Sequence, residues 1–142
     1  MTVEENLLMG AWTFRNDRRR IQQKLAENYA RFPVLAERRS SHAGELSGEQ
    51  KRMVEIGRTL MTDPELMLVD EPTAGLARLV SIEIYRMLSR LSSDEGLTII
   101  LVDQEIRQAL AIADYVFVFD LGRNRSQGNA TEFANLEESF WS

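Results

Sequence analysis

Apolar side chains recur with helical spacing in the N-terminal part of the chain. Ile21, Leu25 and Tyr29 lie four positions apart with charged residues between them, which predicts an amphipathic helix over residues 15–32. Pro33 comes next and is expected to end this helix, because proline lacks the N–H that a helix interior needs. The polar stretch that follows is expected to be irregular.

A second helix is predicted to begin at Ser47. Serine is a favoured N-cap, and Gln50 three residues later completes the pattern of a capping box. The helix should stop near Asp63 and Pro64, because the residue before a proline is pushed out of helical geometry. The side chains expected on its buried face are those of Met53, Ile56, Gly57 and Leu60.

Short apolar runs alternate with helical patterns in the remainder of the chain. The runs over residues 66–69, 97–102 and 115–119 are predicted to be buried strands. Helical spacing separates them over residues 76–91 and 106–113. Strands that alternate with helices and are apolar on both faces are typical of a parallel sheet covered by helices.

These patterns predict an α/β protein with a helical lobe over residues 1–64, followed by strand-and-helix units over residues 65–142. Residues 121–124 are predicted to form a turn, and Thr131 to begin a last short helix. Because parallel strands bind ligands at their carboxyl ends, the residues that follow the predicted strands are the first candidates for a functional site.

Composition excludes several classes of function. The chain has 142 residues, which is room for one domain, and it contains no cysteine. Disulfides, thiolate metal sites and cysteine nucleophiles are therefore excluded, which fits a cytosolic protein. The net charge of -5 and the isoelectric point near 5.0 argue against a dedicated nucleic-acid-binding protein. The apolar runs are too short for a membrane span.

Two acids directly follow the first predicted strand. Asp70 and Glu71 would lie at the carboxyl end of a central strand, where α/β sheets bind ligands. A carboxylate there can hold a hydrated Mg²⁺, and a second one can orient or deprotonate a water molecule. A strand that ends in an acidic turn would give the same pattern, so the pair alone does not decide between the two interpretations.

The start of the second helix is a candidate anion site. Ser47 and Gly48 open the helix, so free backbone N–H groups and the helix dipole point outward together. That geometry binds an anion, typically a phosphate. An ordinary capped helix has the same sequence pattern.

The order and spacing of these features match one protein family. Residues 46–77, LSGEQKRMVEIGRTLMTDPELMLVDEPTAGLA, resemble the signature-to-Walker-B block of ATP-binding-cassette (ABC) ATPases. Residues 46–50 resemble the LSGGQ signature, with glutamate replacing the second glycine. Residues 66–71 resemble the Walker B strand with its catalytic glutamate, and residues 73–77 resemble the D-loop. Residues 101–104 lie where the switch loop follows its strand.

The resemblance implies a P-loop NTPase fold, with a partial parallel sheet and an α-helical signature subdomain. Residues 1–64 would be that subdomain, and residues 65–142 the C-terminal part of the RecA-like catalytic core. Residues 2–7 resemble transporter ATPases just after their Q-loop. Ala77 and Gln104 stand where most members have aspartate and histidine, and importers of branched-chain amino acids, urea or amides resemble the chain at both positions.

The resemblance also implies roles for the signature residues. Ser47, Gly48 and the backbone of Glu49 would contact the γ-phosphate of an ATP molecule held by the opposite subunit. Gln50 would belong to the same binding segment. Glu49 places an acidic side chain beside a polyphosphate, and the backbone contact survives if that side chain turns to solvent.

The catalytic roles fall on residues after the predicted strands. By resemblance, Asp70 would hold Mg²⁺ through water and Glu71 would polarise the attacking water. Gln104 would sense the γ-phosphate by a hydrogen bond, and unlike histidine it cannot gain a proton near neutral pH. Positioning and charge stabilisation would supply most of the catalysis.

A phosphate-binding loop of the pattern GxxxxGK[ST] is missing from the sequence. No Gly-Lys dipeptide occurs, and the two lysines, Lys24 and Lys51, each follow glutamine in helical sequence. The chain is therefore expected to be the C-terminal portion of a cassette, lacking Walker A and the Q-loop. By resemblance, the phosphate-loop strand lies between residues 97–102 and 115–119, so strand edges and apolar faces should be exposed. The isolated chain is expected to bind ATP poorly and not to hydrolyse it.

The resemblance implies partners and a location. ATP and Mg²⁺ would be used in the complete assembly, which would contain a second ABC ATPase subunit and membrane permease subunits. The chain would be cytoplasmic and peripheral to the inner or plasma membrane through the permease. Nucleic acid is not expected as a partner.

Two other functions stay open at this point. The chain could be a non-catalytic regulatory or structural fragment that offers its signature and D-loop residues to a complete cassette. It could instead be the C-terminal lobe of a DNA-repair-type ABC ATPase, which long heptad repeats would precede. Residues 1–45 contain no such repeats, which disfavours the DNA-repair hypothesis.

Overall fold

A computed structural model describes residues 1–133 of the chain. The chain divides into two compact units, Met1–Met67 and Leu68–Ser142. The helices are α1 Val3–Gly10, α2 Arg18–Arg31, α3 Pro33–Glu37, α4 Gly48–Leu60, α5 Arg78–Ser93 and α6 Ile106–Leu110, with 3-10 turns at Trp12–Phe14, Ala43–Glu45 and Ala130–Phe133. The strands are β1 Leu66–Asp70, β2 Thr98–Val102, β3 Tyr115–Asp120 and β4 Arg123–Asn129.

The first unit is built around the contact between α1 and α4. Thr2 caps α1 by accepting a hydrogen bond from the Glu5 N–H, and the Glu5 carboxylate accepts one from the Thr2 N–H. Two glycines let the helices approach closely. A Cβ at Gly10 would overlap the carbonyl oxygen of Arg58, and a Cβ at Gly57 would lie 2.9 Å from the Asn28 side chain. Buried apolar side chains on these two helices include Val3 and Leu7 of α1 and Val54 and Leu60 of α4.

The helix predicted over residues 15–32 is confirmed as α2, which begins after the N-cap Asp17. Pro33 ends α2 as predicted but also begins α3, because proline suits the first position of a helix. Lys24 on α2 donates hydrogen bonds to Asp63 at 2.6 Å and to Glu27 at 3.0 Å. This ion-pair group ties α2 to the segment that follows α4.

The second predicted helix is confirmed as α4. Ser47 is its N-cap, and the capping box with Gln50 is present in both directions. The helix ends at Leu60, and Asp63 then takes a positive φ of 60° just before Pro64. Met53, expected on the buried face, is half-buried, whereas Val54 is buried.

The second unit contains a βαβ arrangement of β1, α5 and β2. The two strands are neighbours in one sheet. The N–H of Glu71, just after β1, donates to the carbonyl of Val102 at the end of β2 at 2.8 Å. The carboxyl ends of the two strands therefore lie at the same edge, as in a parallel pair. The buried side chains of α5 include Ile84, Tyr85, Leu88 and Leu91.

The strand predicted over residues 115–119 exists, but its partner was not predicted. β3 pairs antiparallel with β4 in a sheet separate from β1 and β2. The predicted turn at residues 121–124 is too long, because Leu121 and Gly122, with φ of 47° and 74°, form the turn alone. Positive φ at both central positions is the signature of a tight hairpin. A short helix was predicted to begin at Thr131. The structure shows a 3-10 turn at Ala130–Phe133, and the rest of the predicted helix lies outside the described residues.

The apolar runs predict strands that are buried on both faces, whereas the missing phosphate-loop strand predicts exposed apolar faces. The structure contradicts the first prediction and agrees with the second. Leu68 is 72% exposed, Val102 58% and Phe119 68%. No element within residues 1–133 covers these apolar faces. Every helix among residues 1–133 is too short or too polar to span a lipid bilayer.

Candidate functional site

The carboxyl ends of β1 and β2 form the edge where the predicted catalytic residues lie. Asp70 is the last residue of β1 and Glu71 the next, and both are exposed. Glu71 has a φ of 41°, a left-handed conformation that side chains other than glycine seldom adopt. The hydrogen bond from its N–H to Val102 holds it there.

The segment after Glu71 folds into a tight turn. The N–H of Ala74 donates to the Glu71 carbonyl at 3.2 Å, and the N–H of Leu76 donates to the Thr73 carbonyl at 3.0 Å. Gly75 has a φ of 74°, which glycine adopts without strain. This turn leads into α5 and keeps the backbone next to Glu71 ordered.

The segment after β2 is organised around Asp103. One oxygen of its carboxylate accepts the Glu105 N–H at 3.0 Å. The other accepts the hydroxyl of Tyr85, from α5, at 2.6 Å. Gln104 lies between Asp103 and Glu105, so the two hydrogen bonds flank it in sequence. Burial and the hydrogen bond to the Asp103 carboxylate raise the pKa of Tyr85 to about 12.

Glu71 and Gln104 line the same open cleft, which has a volume of about 640 Å³. The turn after β1 forms one wall and the segment 103–108 forms the other. Asp70 is not among the lining residues, although it precedes Glu71 directly. Charged groups on the walls include Glu71, Arg78, Asp103, Glu105 and Arg107.

Asp70 and Glu71 suit a magnesium ion bound mainly through water. Within residues 1–133, no cluster of three or more acidic or histidine side chains could form a protein cage for a metal. Mg²⁺ does not need one, because it keeps several waters and is commonly held by one or two carboxylates together with substrate phosphates. An exposed carboxylate at the end of a strand fits that requirement.

The predicted signature residues lie in the first unit, at the start of α4. The Ser47 hydroxyl accepts the Gln50 N–H at 3.2 Å, and the Gln50 side chain accepts the Ser47 N–H at 3.2 Å. The amides of Gly48 and Glu49 lie in the first turn, where helix N–H groups have no acceptor inside the helix. Ser47 and Gly48 are exposed, and Glu49 is half-buried. The backbone at this helix start is thus accessible to an anion.

One residue beside the cleft, Tyr85, was missed by reasoning from the sequence. Tyr85 lies on the apolar face of its helix, so the sequence pattern did not distinguish it from its aliphatic neighbours. In the structure its hydroxyl donates a hydrogen bond to Asp103. Thr73 Oγ1 lies 3.4 Å from that hydroxyl. A tyrosine within an otherwise aliphatic stripe is the signal that could have indicated a buried polar contact.

Known proteins share both the sequence and the fold of this chain. The family model described as "ABC transporter" matches residues 1–74. BraG of Pseudomonas aeruginosa, a high-affinity branched-chain amino acid transport ATP-binding protein, is 42% identical over 87% of this chain and 52% of its own length. LivF of Archaeoglobus fulgidus, a probable branched-chain amino acid transport ATP-binding protein, is 32% identical over 97% of this chain and 58% of its own length.

A solved structure shows the same fold. cbiO1 from Clostridium perfringens, part of the ABC transporter complex cbiONQ, superimposes with a TM-score of 0.85 at 30% sequence identity. The superposition covers 96% of this chain and 55% of that protein. The chain thus spans a little over half the length of the relatives it matches. By sequence, by fold and by the order of its motifs, the chain belongs to the ABC transporter ATPase family.

Proposed function

We propose that this chain supplies the signature, Walker B and switch residues of an ATP-hydrolysing subunit in an ABC importer. The observation that carries the proposal is the shared cleft of Glu71 and Gln104 at the carboxyl ends of β1 and β2. The similarity to BraG and LivF favours branched-chain amino acids or related amides as the transported solutes. We assign residues 1–64 to the helical signature subdomain and residues 65–142 to the C-terminal part of the catalytic core.

Each residue at the sheet edge has a role in phosphoryl transfer. Asp70 would hold Mg²⁺ through water, and the bound ion would supply charge neutralisation at the phosphates of ATP. Glu71, exposed at the cleft, accepts a hydrogen bond from the attacking water and orients it. Gln104 on the opposite wall donates a hydrogen bond from its amide to the γ-phosphate.

The signature segment acts on a second nucleotide. The exposed amides at the start of α4 bind the γ-phosphate of ATP held by a second ABC ATPase subunit. Ser47 keeps the first turn in place through its capping box, and the Gly48 amide lies in the accessible first turn. The Glu49 side chain turns to solvent, and its backbone N–H makes the contact.

The chain requires an additional polypeptide to bind ATP at its own catalytic residues. The sequence contains no Gly-Lys dipeptide for a phosphate-binding loop. Apolar side chains on the strands are exposed, as expected of a sheet that more polypeptide covers. We infer that a polypeptide corresponding to the remaining half of the relatives packs there, and that membrane permease subunits complete the assembly.

A reconstitution experiment tests the proposal. The purified chain is mixed with a complement, defined here as the part of BraG that this chain does not match, and ATP hydrolysis is measured. We expect Mg²⁺-dependent turnover from the mixture and none from either part alone. Turnover by the purified chain alone would contradict the inferred need for the complement.

The non-catalytic alternative gives a different result in the same assay. A fragment that only offers its signature would leave ATP binding in the mixture dependent on Ser47 but would produce no turnover that depends on Glu71. A mixture that binds ATP without hydrolysing it would therefore overturn the catalytic proposal in favour of this alternative.

A further inference from the structure

The buried hydroxyl of Tyr85 lies between the two segments that form the cleft. Tyr85 lies in the middle of α5 and is only 4% exposed. Its hydroxyl donates to Asp103 Oδ2 at 2.6 Å and lies 3.4 Å from Thr73 Oγ1. Thr73 is two residues beyond Glu71, and Asp103 directly precedes Gln104.

The contact to Asp103 is the stronger of the two. A hydroxyl that donates to a carboxylate at 2.6 Å forms a charge-assisted hydrogen bond, which is shorter and stronger than a neutral one. The same carboxylate accepts the Glu105 N–H. The Asp103 carboxylate therefore links α5 to the backbone on the far side of Gln104, which limits how far the Gln104 segment can move.

The contact to Thr73 completes the link. Thr73 is buried at 6% exposure, and its carbonyl accepts the Leu76 N–H in the turn after Glu71. Both segments thus contact the same atom, the buried hydroxyl oxygen of Tyr85 on α5. A phenylalanine ring would fill the same volume, so packing alone does not require the hydroxyl.

We propose that Tyr85 is a positioning residue that holds the Thr73 turn and the Gln104 segment at a fixed separation across the cleft. The hydroxyl, rather than the ring, carries this role. The consequence for catalysis rests on the function proposed above, whereas the link itself is a property of this chain alone.

The first experiment uses the chain by itself. Amide hydrogen exchange is measured for the wild type, for Tyr85→Phe and for Tyr115→Phe, a control that removes a hydroxyl from an exposed ring. In Tyr85→Phe, we expect the Glu105 amide to exchange about tenfold or more faster, because a carboxylate that loses its partner frees the segment it holds. The Leu76 amide should also exchange faster.

An internal reference separates a local effect from general destabilisation. The Asp94 N–H donates to the Arg90 carbonyl at the end of α5, away from the cleft. We expect the exchange of this amide to stay within about twofold in Tyr85→Phe. Equal acceleration of the Asp94, Leu76 and Glu105 amides would show a loss of packing and would overturn the positioning role, and so would unchanged exchange at Glu105.

The second experiment uses the mixture with the complement. Tyr85→Phe should lower kcat about tenfold and leave the KM for ATP within about twofold, because a misplaced group costs transition-state stabilisation more than ground-state binding. Tyr115→Phe should leave both constants unchanged. A normal kcat in Tyr85→Phe would overturn the catalytic consequence. If the wild-type mixture shows no turnover, the proposed function fails, and the exchange experiment still decides whether Tyr85 links the two segments.

Discussion

The backbone conformation of Glu71 positions its carboxylate at the cleft and lowers the free energy of unfolding. Its φ of 41° is unfavourable for a residue with a side chain, and such conformations cost on the order of 1 kcal/mol or more. Leu121 at the hairpin turn, with a φ of 47°, bears a similar cost without any role in the cleft. A comparison of these two residues therefore separates the effect of backbone strain on stability from the effect of the Glu71 carboxylate on ATP hydrolysis.

Glycine at either position should stabilise the chain. We expect Glu71→Gly and Leu121→Gly each to raise the free energy of unfolding by about 0.5–1 kcal/mol, because glycine adopts positive φ without steric cost. Only Glu71→Gly should abolish turnover in the mixture with the complement. Urea unfolding followed by circular dichroism measures the first effect, and destabilisation by Glu71→Gly would contradict the assigned strain.

Charge pairing at Lys24 gives the stability a defined pH dependence. The hydrogen bond from Lys24 lowers the pKa of Asp63, and it likewise lowers the pKa of Glu27. A carboxyl group with a lowered pKa stabilises the fold above its ordinary pKa, and this contribution disappears as the pH falls through the lowered value. Stability from this cluster is therefore present at neutral pH and lost below about pH 4.

Removal of the Lys24 charge tests that dependence. We expect Lys24→Met to lower the free energy of unfolding at pH 7 by about 1 kcal/mol or less, since Asp63 is largely exposed. The difference from wild type should shrink as the pH falls from 5 to 3. Lys51→Met, the change at the only other lysine, should leave the free energy nearly unaltered. A difference that grows in acid would contradict the assigned pairing.

Among the helices and strands, the features predicted correctly are those that a few neighbouring residues determine. Ser47 and Gln50 form the capping box that their three-residue spacing indicates. α1 escaped prediction because Leu7, Leu8 and Met9 are three consecutive apolar residues, which do not show helical period. β4 escaped because Arg123–Asn129 has no apolar alternation, and only its pairing with β3 orders it as a strand.

Close packing of α1 on α4 depends on Gly10. A Cβ there would overlap the Arg58 carbonyl and lie 2.8 Å from the Met61 Cβ. We expect Gly10→Ala to destabilise the chain by about 1–3 kcal/mol, because neither helix backbone can yield without losing buried contacts. Gly44→Ala is the control, since nothing lies within 4 Å of its Cβ position. Equal thermal unfolding of the two variants would contradict the close approach.

At the scale of the whole molecule, the hydrophobic pattern alone predicts the wrong burial for the strand faces, whereas the missing phosphate-loop strand predicts their exposure. Leu68, Val102 and Phe119 belong to continuous apolar runs that predict burial, because such a run does not reveal which polypeptide supplies the covering element. The positions of Asp70 and Glu71 could be predicted, because the two acids directly follow an apolar run and so mark the carboxyl end of a strand. Parallel sheets bind ligands at that edge. Tyr85 and Asp103 come together only through the fold.

Association of the isolated chain should follow from those faces. We expect sedimentation to show oligomers that increase with concentration, because exposed apolar patches associate. Phe119→Lys should reduce association, whereas Ser126→Lys on the neighbouring strand should not, since Ser126 pairs with Val118 in the hairpin and is already exposed and polar. A chain that stays monomeric at high concentration would contradict this expectation.

We infer that Glu71 of this chain is the catalytic carboxylate of an ATPase. The most direct test compares Glu71→Gln with Glu65→Gln, a change at an exposed glutamate just before β1. Each variant is mixed with the complement. The rate of ATP hydrolysis is measured at saturating ATP and expressed per molecule of ATP bound. We predict that Glu71→Gln lowers turnover at least about a hundredfold, the range of a lost general base, with ATP binding retained. Glu65→Gln should match wild type, and a Glu71→Gln mixture that hydrolyses ATP at the wild-type rate would contradict the claim.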